Sequence, residues 1–356
     1  MTDFHSAGPL TFHPDSPTVL FAADVSAATV HALQLPAEPP ADGVPVHVQQ
    51  LGAKLASLLG VERGDAPLRG MAVHPVSHAV YLSVSRGRGA DAGPALVRVD
   101  TDGSLSVVDV NGLDATSFAL DDAPAVDDGR QDVWLDGTAE GSAPREIHGV
   151  TLEIAQVPLR RSTITDLAWV DGALMVAGTS NEEFSSRLRR VPYPFDGTAQ
   201  ATSVEIYHVD HGQYETASPI RALVPFDGGR SVLATYTCTP VVHFPLADLQ
   251  AGGLVRGRTV AELGPMNQPF SLVSYDRDGE EFLLVSGTRH PLLKIPASAV
   301  AGQPPLTEKL EPVGIPREAL DVAGVTWMAT ADRGHVVVVQ DDGSDLALRT
   351  LAAASL

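Results

Sequence analysis

The sequence predicts an all-β fold assembled from repeated small sheets, and three observations carry that prediction. One short pattern recurs six times along the chain, turns rich in Asp, Gly and Pro punctuate it, and helix signals are scarce. Each copy is an apolar run, a turn, a strongly β-prone run, a polar loop and a further alternating strand. Six such units in 356 residues fit a single domain in the form of a β-propeller of about six blades. Repeating a small sheet around an axis lets one domain outgrow the usual size. Seven blades is the alternative.

The copies follow in order. The first is Leu10–Asp15 followed by Thr18–Ala23, and the second is Met71–Pro75 followed by Ala79–Val84. The third is Leu167–Gly172 with Ala173–Gly178, and the fourth is Ala222–Gly229 with Ser231–Tyr236. The fifth is Leu272–Gly279 with Phe282–Ser286, and the sixth is Val325–Asp332 with His335–Val339. Asp-Gly and Gly-Gly supply the positive φ that tight hairpins require, and the β-branched residues around them prefer the pleated backbone. The third to sixth copies recur at roughly 50 residues, a blade period. Between the second and third the spacing nearly doubles, and Thr116 to Arg161 is an insertion or a degenerate seventh blade; the insertion is the reading adopted. Gln49 to Leu59 places Leu51, Leu55, Leu58 and Leu59 on one face of a short helix. Leu246 to Leu249 and Ala297 to Ala301 suit single helical turns.

The marks Phe12-His13-Pro14 and Val73-His74-Pro75, set in this strand rhythm, resemble the broad superfamily of YVTN, lactonase-like and TolB-like β-propellers. The resemblance implies a propeller over most of the chain. It implies no single activity, because that superfamily hosts lactonases, lyases, oxidases and scaffolds.

Composition excludes some partners. There are 24 basic against 44 acidic residues, a formal charge of −20, which repels phosphate backbones and anionic lipid. The expectation is therefore no nucleic acid and no membrane, with a small-molecule ligand instead. No run approaches the ~18 apolar residues of a spanning helix. Met1 to Pro9 lacks a basic and an apolar leader region, and Cys238 is the single cysteine; together they suggest a cytoplasmic protein. No Rossmann glycine fingerprint, P-loop, nucleophile elbow or Cys-x-x-Cys pair occurs, so no nucleotide cofactor is expected.

In a propeller, ligands gather at the channel mouth, built by the loops between second and third strands and by the connections between blades. Those loops are Ser85–Arg88, Ser180–Glu183, Thr237–Thr239 and Gly287–His290. The connections add Arg69, Asp166, Arg221, Asn267, Gln268 and the loop His208–Glu215. His208, His211, Cys238 and His290 are the candidate ligands of copper, zinc or iron, since imidazole with one thiolate suits those ions. Glu182, Tyr214 and Cys238 are the candidate catalytic groups. Arg69, Arg86, Arg221 and Arg289 would clamp a carboxylate or phosphate, with Asn181 and Asn267 completing the substrate-binding set. The bland alternative for each is a solvated loop, a local ion pair or a buried, inert thiol. Asn181, Glu182, Asn267 and Asp166 also match in type the oxygen ligands that the lactonase-like resemblance implies for calcium. His148 is a further candidate ligand, whereas His13 and His74 read as turn residues. Two classes of function follow: a metal-dependent enzyme acting on a small polar or anionic molecule, by oxidation, hydrolysis or elimination, or a non-catalytic scaffold.

Overall fold

The computed structural model describes residues 4–41, 43, 46–89, 92–134, 143–147, 150–237, 239–264, 267–289, 291–308 and 314–356. Six blades of four antiparallel strands form a ring, each opening at one of the six sequence copies, and the blade III sheet adds two short strands, Gln213–Glu215 antiparallel and Leu254–Arg256 parallel to its fourth strand. Blade I holds Leu10–Phe12, Val19–Asp24, Thr29–Gln34 and, as its outer strand, Asp114–Ala119; blade II holds Leu68–Val73, Val80–Arg86, Gly93–Val99 and Leu105–Val108. Blade III comprises Asp166–Val170, Ala173–Thr179, Ser186–Pro192 and Gln200–His208, and blade IV comprises Ile220–Phe226, Ser231–Tyr236, Pro240–Pro245 and Arg258–Glu262. Blade V is Pro269–Arg277, Glu280–Gly287, Leu293–Pro296 and Glu318–Ala319; blade VI is Val325–Asp332, His335–Asp341, Leu346–Ala352 and His47–Val48.

The order around the axis departs from the order in the chain. Six apolar clusters seal the seams between neighbours, and they join VI to II, II to I, I to III, III to IV, IV to V and V to VI. Blades I and II have exchanged places, which leaves II and IV on opposite sides of the ring. Two strand exchanges accompany this. After the third strand of blade I, the chain runs beneath blade II, where Glu38 takes hydrogen bonds from Arg98, Tyr81 and Ser77. It then supplies the outer strand His47–Val48 to blade VI, paired with Leu348 and Arg349, so an early segment closes the ring. After blade II it returns to give Asp114–Ala119 to blade I. Further along the 116–161 stretch, Gln131–Trp134, Ala143–Ile147 and Val150–Pro158 pair as a three-stranded sheet that belongs to none of the six blades.

The expected helix forms over Leu51–Leu59, burying Leu51, Leu55 and Leu59 against the seam of VI and II and leaving Leu58 exposed. Its first-turn amides at Gly52 and Ala53 donate to the Asp345 carboxylate (3.0 and 3.2 Å), a cap supplied from blade VI. The His-Pro turns have a matching local cause. His13 Nδ1 accepts from the amides of Asp15 and Ser16 (both 3.1 Å), and His74 Nδ1 from those of Val76 and Ser77 (3.2 and 3.0 Å). In both, the imidazole does what an Asx side chain does in a turn. No helix among the described residues is long and apolar enough to cross a membrane.

Candidate metal centre

Among the described residues, one group of three His, Cys, Asp or Glu side chains brings its donor atoms within 4.8 Å of one another: His208, His211 and Glu215. A tight reversal assembles it. The outer strand of blade III ends at His208, and the Gly212 amide, at φ +67°, donates to the carbonyls of His208 (2.9 Å) and Val209 (3.1 Å). That turn folds His211 back over His208, with ring centroids 3.9 Å apart. The short strand Gln213–Glu215 then runs back along the outer strand of blade III, pairing Tyr207 with Tyr214 and His208 with Gln213. Because side chains alternate, His208 and Glu215 share one face and Tyr207 and Tyr214 the other.

The two imidazoles meet on a single carboxylate oxygen. Glu215 Oε1 lies 3.1 Å from His208 Nδ1 and 2.5 Å from His211 Nδ1. His208 is fully buried, Glu215 is 18% exposed and His211 51%, so the group is reached from the His211 side. Burial opposes ionisation of Glu215, yet the bonds to His208 and His211 hold its carboxyl down at about 2. Behind His208, Nε2 lies 3.2 Å from Thr239 Oγ1 at the head of a blade IV strand and 4.0 Å from Glu262 Oε1. Glu262 is 2% exposed; its Oε2 accepts from the Val209 amide (3.1 Å), while Oε1 has no hydrogen-bond partner. Burial, with the nearby Asp210, pushes its carboxyl up to about 8. The Gly257 amide bonds the Glu205 carbonyl (2.8 Å) and Thr259 Oγ1 bonds the Tyr207 carbonyl (2.8 Å), fixing the seam of blades III and IV on which all this rests.

The other sequence candidates are dispersed. Cys238, His290 and His148 lie outside the described residues. Tyr214 stands on the face opposite Glu215, 39% exposed, stacked edge-on against Tyr207 with the Arg256 guanidinium 3.9 Å above its ring. Arg86 Nε caps the Leu59 carbonyl (2.8 Å) at the C-terminus of the helix, a role that favours a cation there. Arg69 Nε reaches Ser85 Oγ at 3.3 Å. Arg221 donates to Thr237 Oγ1 (2.8 Å) and to Asp132 (2.9 Å) of the appended sheet. Asn181 Oδ1 accepts from Arg130 (3.0 Å), and Glu182 is exposed beside it. The buried Asn267 accepts the Arg289 amide (3.1 Å), holding the loop that carries Arg289. Asp166 takes the amides of Leu223 (2.7 Å) and Leu167 (2.9 Å), and burial raises its carboxyl to about 7. The sequence reading missed Glu215 as a ligand and Glu262 altogether, and it placed Thr239 in a mouth loop without its contact to His208. Only Glu215 carried a local signal, four residues after His211 and just past a turn glycine.

No protein-family model and no curated protein matches this chain. Among solved structures it is similar to a chain of the crystal structure of the mitotic checkpoint complex, at 11% identity and a TM-score of 0.40 over 99% of this chain and 91% of that one. It is also similar to the C-terminal WD40 domain of Sif2, at 10% identity and a TM-score of 0.39 over 98% and 96%. A third is the extracellular domain of the putative one component system BT4673 from B. thetaiotaomicron, at 10% identity and a TM-score of 0.36 over 94% and 31%. The blade assignment rests on the strand pairing within this chain.

Proposed function

We propose that the protein is a metal-dependent enzyme that holds a divalent transition ion on His208 Nδ1, His211 Nδ1 and Glu215 Oε1 and uses it on a small polar molecule. The observation that supports this is the convergence of three nitrogen and oxygen donors from a turn and two paired strands. Two imidazoles with one carboxylate leave coordination positions open, which suits zinc in a hydrolytic role or ferrous iron in an oxidative one. Bound there, the ion would acidify a water or polarise a carbonyl. The chain's own part is to orient the ligands: the Thr239 hydroxyl holds the far nitrogen of His208, the outer-shell contact that ring-nitrogen ligands ordinarily make. The half-exposed His211 leaves a side for substrate to approach. A calcium site on Asn181, Glu182, Asn267 and Asp166 has less support, because Asp166 already serves two backbone amides and Asn181 serves Arg130.

Metal analysis of protein prepared without a histidine tag tests this directly. The expected result is zinc or iron near one equivalent in the wild type. It should be lost in His211→Ala, an exposed position, with the unfolding transition unchanged. Calcium alone, or uptake that survives both His211→Ala and Glu215→Gln, overturns the ligand set.

A further inference from the structure

We infer that Arg221, Thr237 and Ser162 form a carboxylate-binding subsite at the channel mouth, and that the protein's own Asp132 fills it as a tethered ligand. This does not depend on the metal centre. It starts from a backbone irregularity that recurs around the ring and carries an arginine on two opposite sides of it. The pairing register of the innermost strand slips in four blades: between Leu68 and Gly70 in II, Ile220 and Ala222 in IV, Pro269 and Ser271 in V, and Val325 and Trp327 in VI. The extra residue is Phe270 in V and Thr326 in VI, but an arginine in the two blades that face each other, Arg69 in II and Arg221 in IV. Bulges re-aim the side chain they carry and cluster at sites of function. Each arginine then donates Nε to the hydroxyl sixteen residues on, Arg69 to Ser85 and Arg221 to Thr237. The ring therefore builds the same arginine–hydroxyl unit twice, at the mouth ends of two facing blades.

At blade IV the unit holds an anion. Asp132 Oδ2 accepts from Arg221 (2.9 Å) and from Ser162 Oγ (2.8 Å), the latter from the turn that leads into blade III. Arg221 and Asp132 are only 9% and 11% exposed. The guanidinium comes from blade IV and the serine from the turn between the appended sheet and blade III, whereas the acceptor comes from the appended sheet itself, which belongs to no blade. A site formed by blade IV and the turn into blade III, and occupied by a carboxylate from the appended sheet, is what a small carboxylate ligand would find. The guanidinium fork recognises the planar group, and the serine fixes one of its oxygens. A ligand of that class would have to displace Asp132, so the appended sheet governs access.

The test uses full-length Asp132→Ala and the isosteric Asp132→Asn, with malonate as the carboxylate probe and inorganic phosphate as the tetrahedral one. Titration calorimetry should show malonate binding Asp132→Ala at least tenfold more tightly than wild type. Malonate should also raise the melting temperature of that variant, and Asp132→Ala/Arg221→Ala should lose both effects. Binding no tighter than wild type overturns the subsite, as does unfolding of both variants without rescue by malonate, which makes Asp132 an architectural partner. Phosphate binding without malonate binding overturns the carboxylate class. Metal content of Asp132→Ala should match the wild type, so failure here leaves the metal centre standing and the converse also holds.

Discussion

The His-Pro turns of blades I and II and the His208–Glu215 hairpin of blade III use the same side chain to opposite ends. In the turns, Nδ1 of His13 and His74 is consumed by two backbone amides, so the imidazole is a turn cap and that nitrogen is spent. In the hairpin, Nδ1 of both His208 and His211 faces one carboxylate oxygen, the donor set on which the proposed ion would sit. The partner of Nδ1, rather than burial or the presence of histidine, separates architecture from chemistry. His74 is 1% exposed and His208 is fully buried, yet only one of them converges with other donors.

The largest expected effect comes from His208→Ala. It removes a fully buried ring and strands Thr239 and part of Glu215, which should cost about 2–4 kcal/mol on the scale of lost buried hydrogen bonds and packing. Urea unfolding would measure that cost, and metal uptake should vanish as well. A double change at His208 and His211 therefore destabilises the fold, and only His211→Ala separates binding from stability. Retention of wild-type stability by His208→Ala would show that its contacts contribute nothing.

His74→Ala should cost less, about 1–2 kcal/mol for two turn amides left without an acceptor, and should leave metal content untouched. Burial lowers the pKa of His74 from 6.5, so the unfolded chain takes up this proton more readily than the folded one. Stability contributed here is complete above the unfolded value and is lost as pH falls through it. Protonation would also turn the accepting nitrogen into a donor facing two amides. Unfolding free energies at pH 7.5 and 5.5 should therefore converge between wild type and His74→Ala; parallel profiles would remove the turn-cap role.

The two carboxylates on either side of His208 make a further contrast, since Glu215 of the hairpin is held at about 2 and Glu262 of blade IV is pushed to about 8. For Glu262 the sign is the reverse of an ordinary ion-paired acid. The folded chain keeps a proton that the unfolded chain releases above 4.5, so stability declines as pH rises from there to about 8. Glu262→Gln removes that decline and should gain ~1 kcal/mol over wild type at pH 9, in line with the cost of a buried unpaired charge. An unchanged difference between pH 5 and 9 would mean that solvent reaches this carboxylate.

These cases also show what the sequence could reveal. Blade rhythm was legible because strands alternate with a period of two and hairpins need Asp-Gly or Gly-Gly, both local properties. The Leu51–Leu59 helix was legible for the same reason. The exchange of blades I and II was not, since a strand's edge partner is chosen by packing across the ring and leaves no mark in the strand itself. His208 and His211 could be read from their spacing, because a single turn joins them. Thr239 and Glu262 come from blade IV and meet His208 only through the seam, so no spacing could have named them. Arg86 shows the converse: its place in a rim loop suggested a ligand clamp, and the helix that claims it lies 27 residues earlier.

The smallest expected effect sharpens the alternation argument. Tyr214 neighbours Glu215 in sequence, and proximity alone makes it an acid or base for the centre. Its ring is on the other face of the strand, against Tyr207 and under Arg256. Tyr214→Phe keeps those ring contacts and removes only the hydroxyl, so stability should change by less than ~0.5 kcal/mol, as for surface substitutions generally. Metal affinity should be equal to wild type by calorimetry, and the pH dependence of any metal-dependent turnover should keep its shape. A tenfold loss of affinity or a vanished limb in that profile would place the hydroxyl at the metal. The hairpin would then have to present Tyr214 and Glu215 on one side, which the pairing of Tyr207 with Tyr214 forbids.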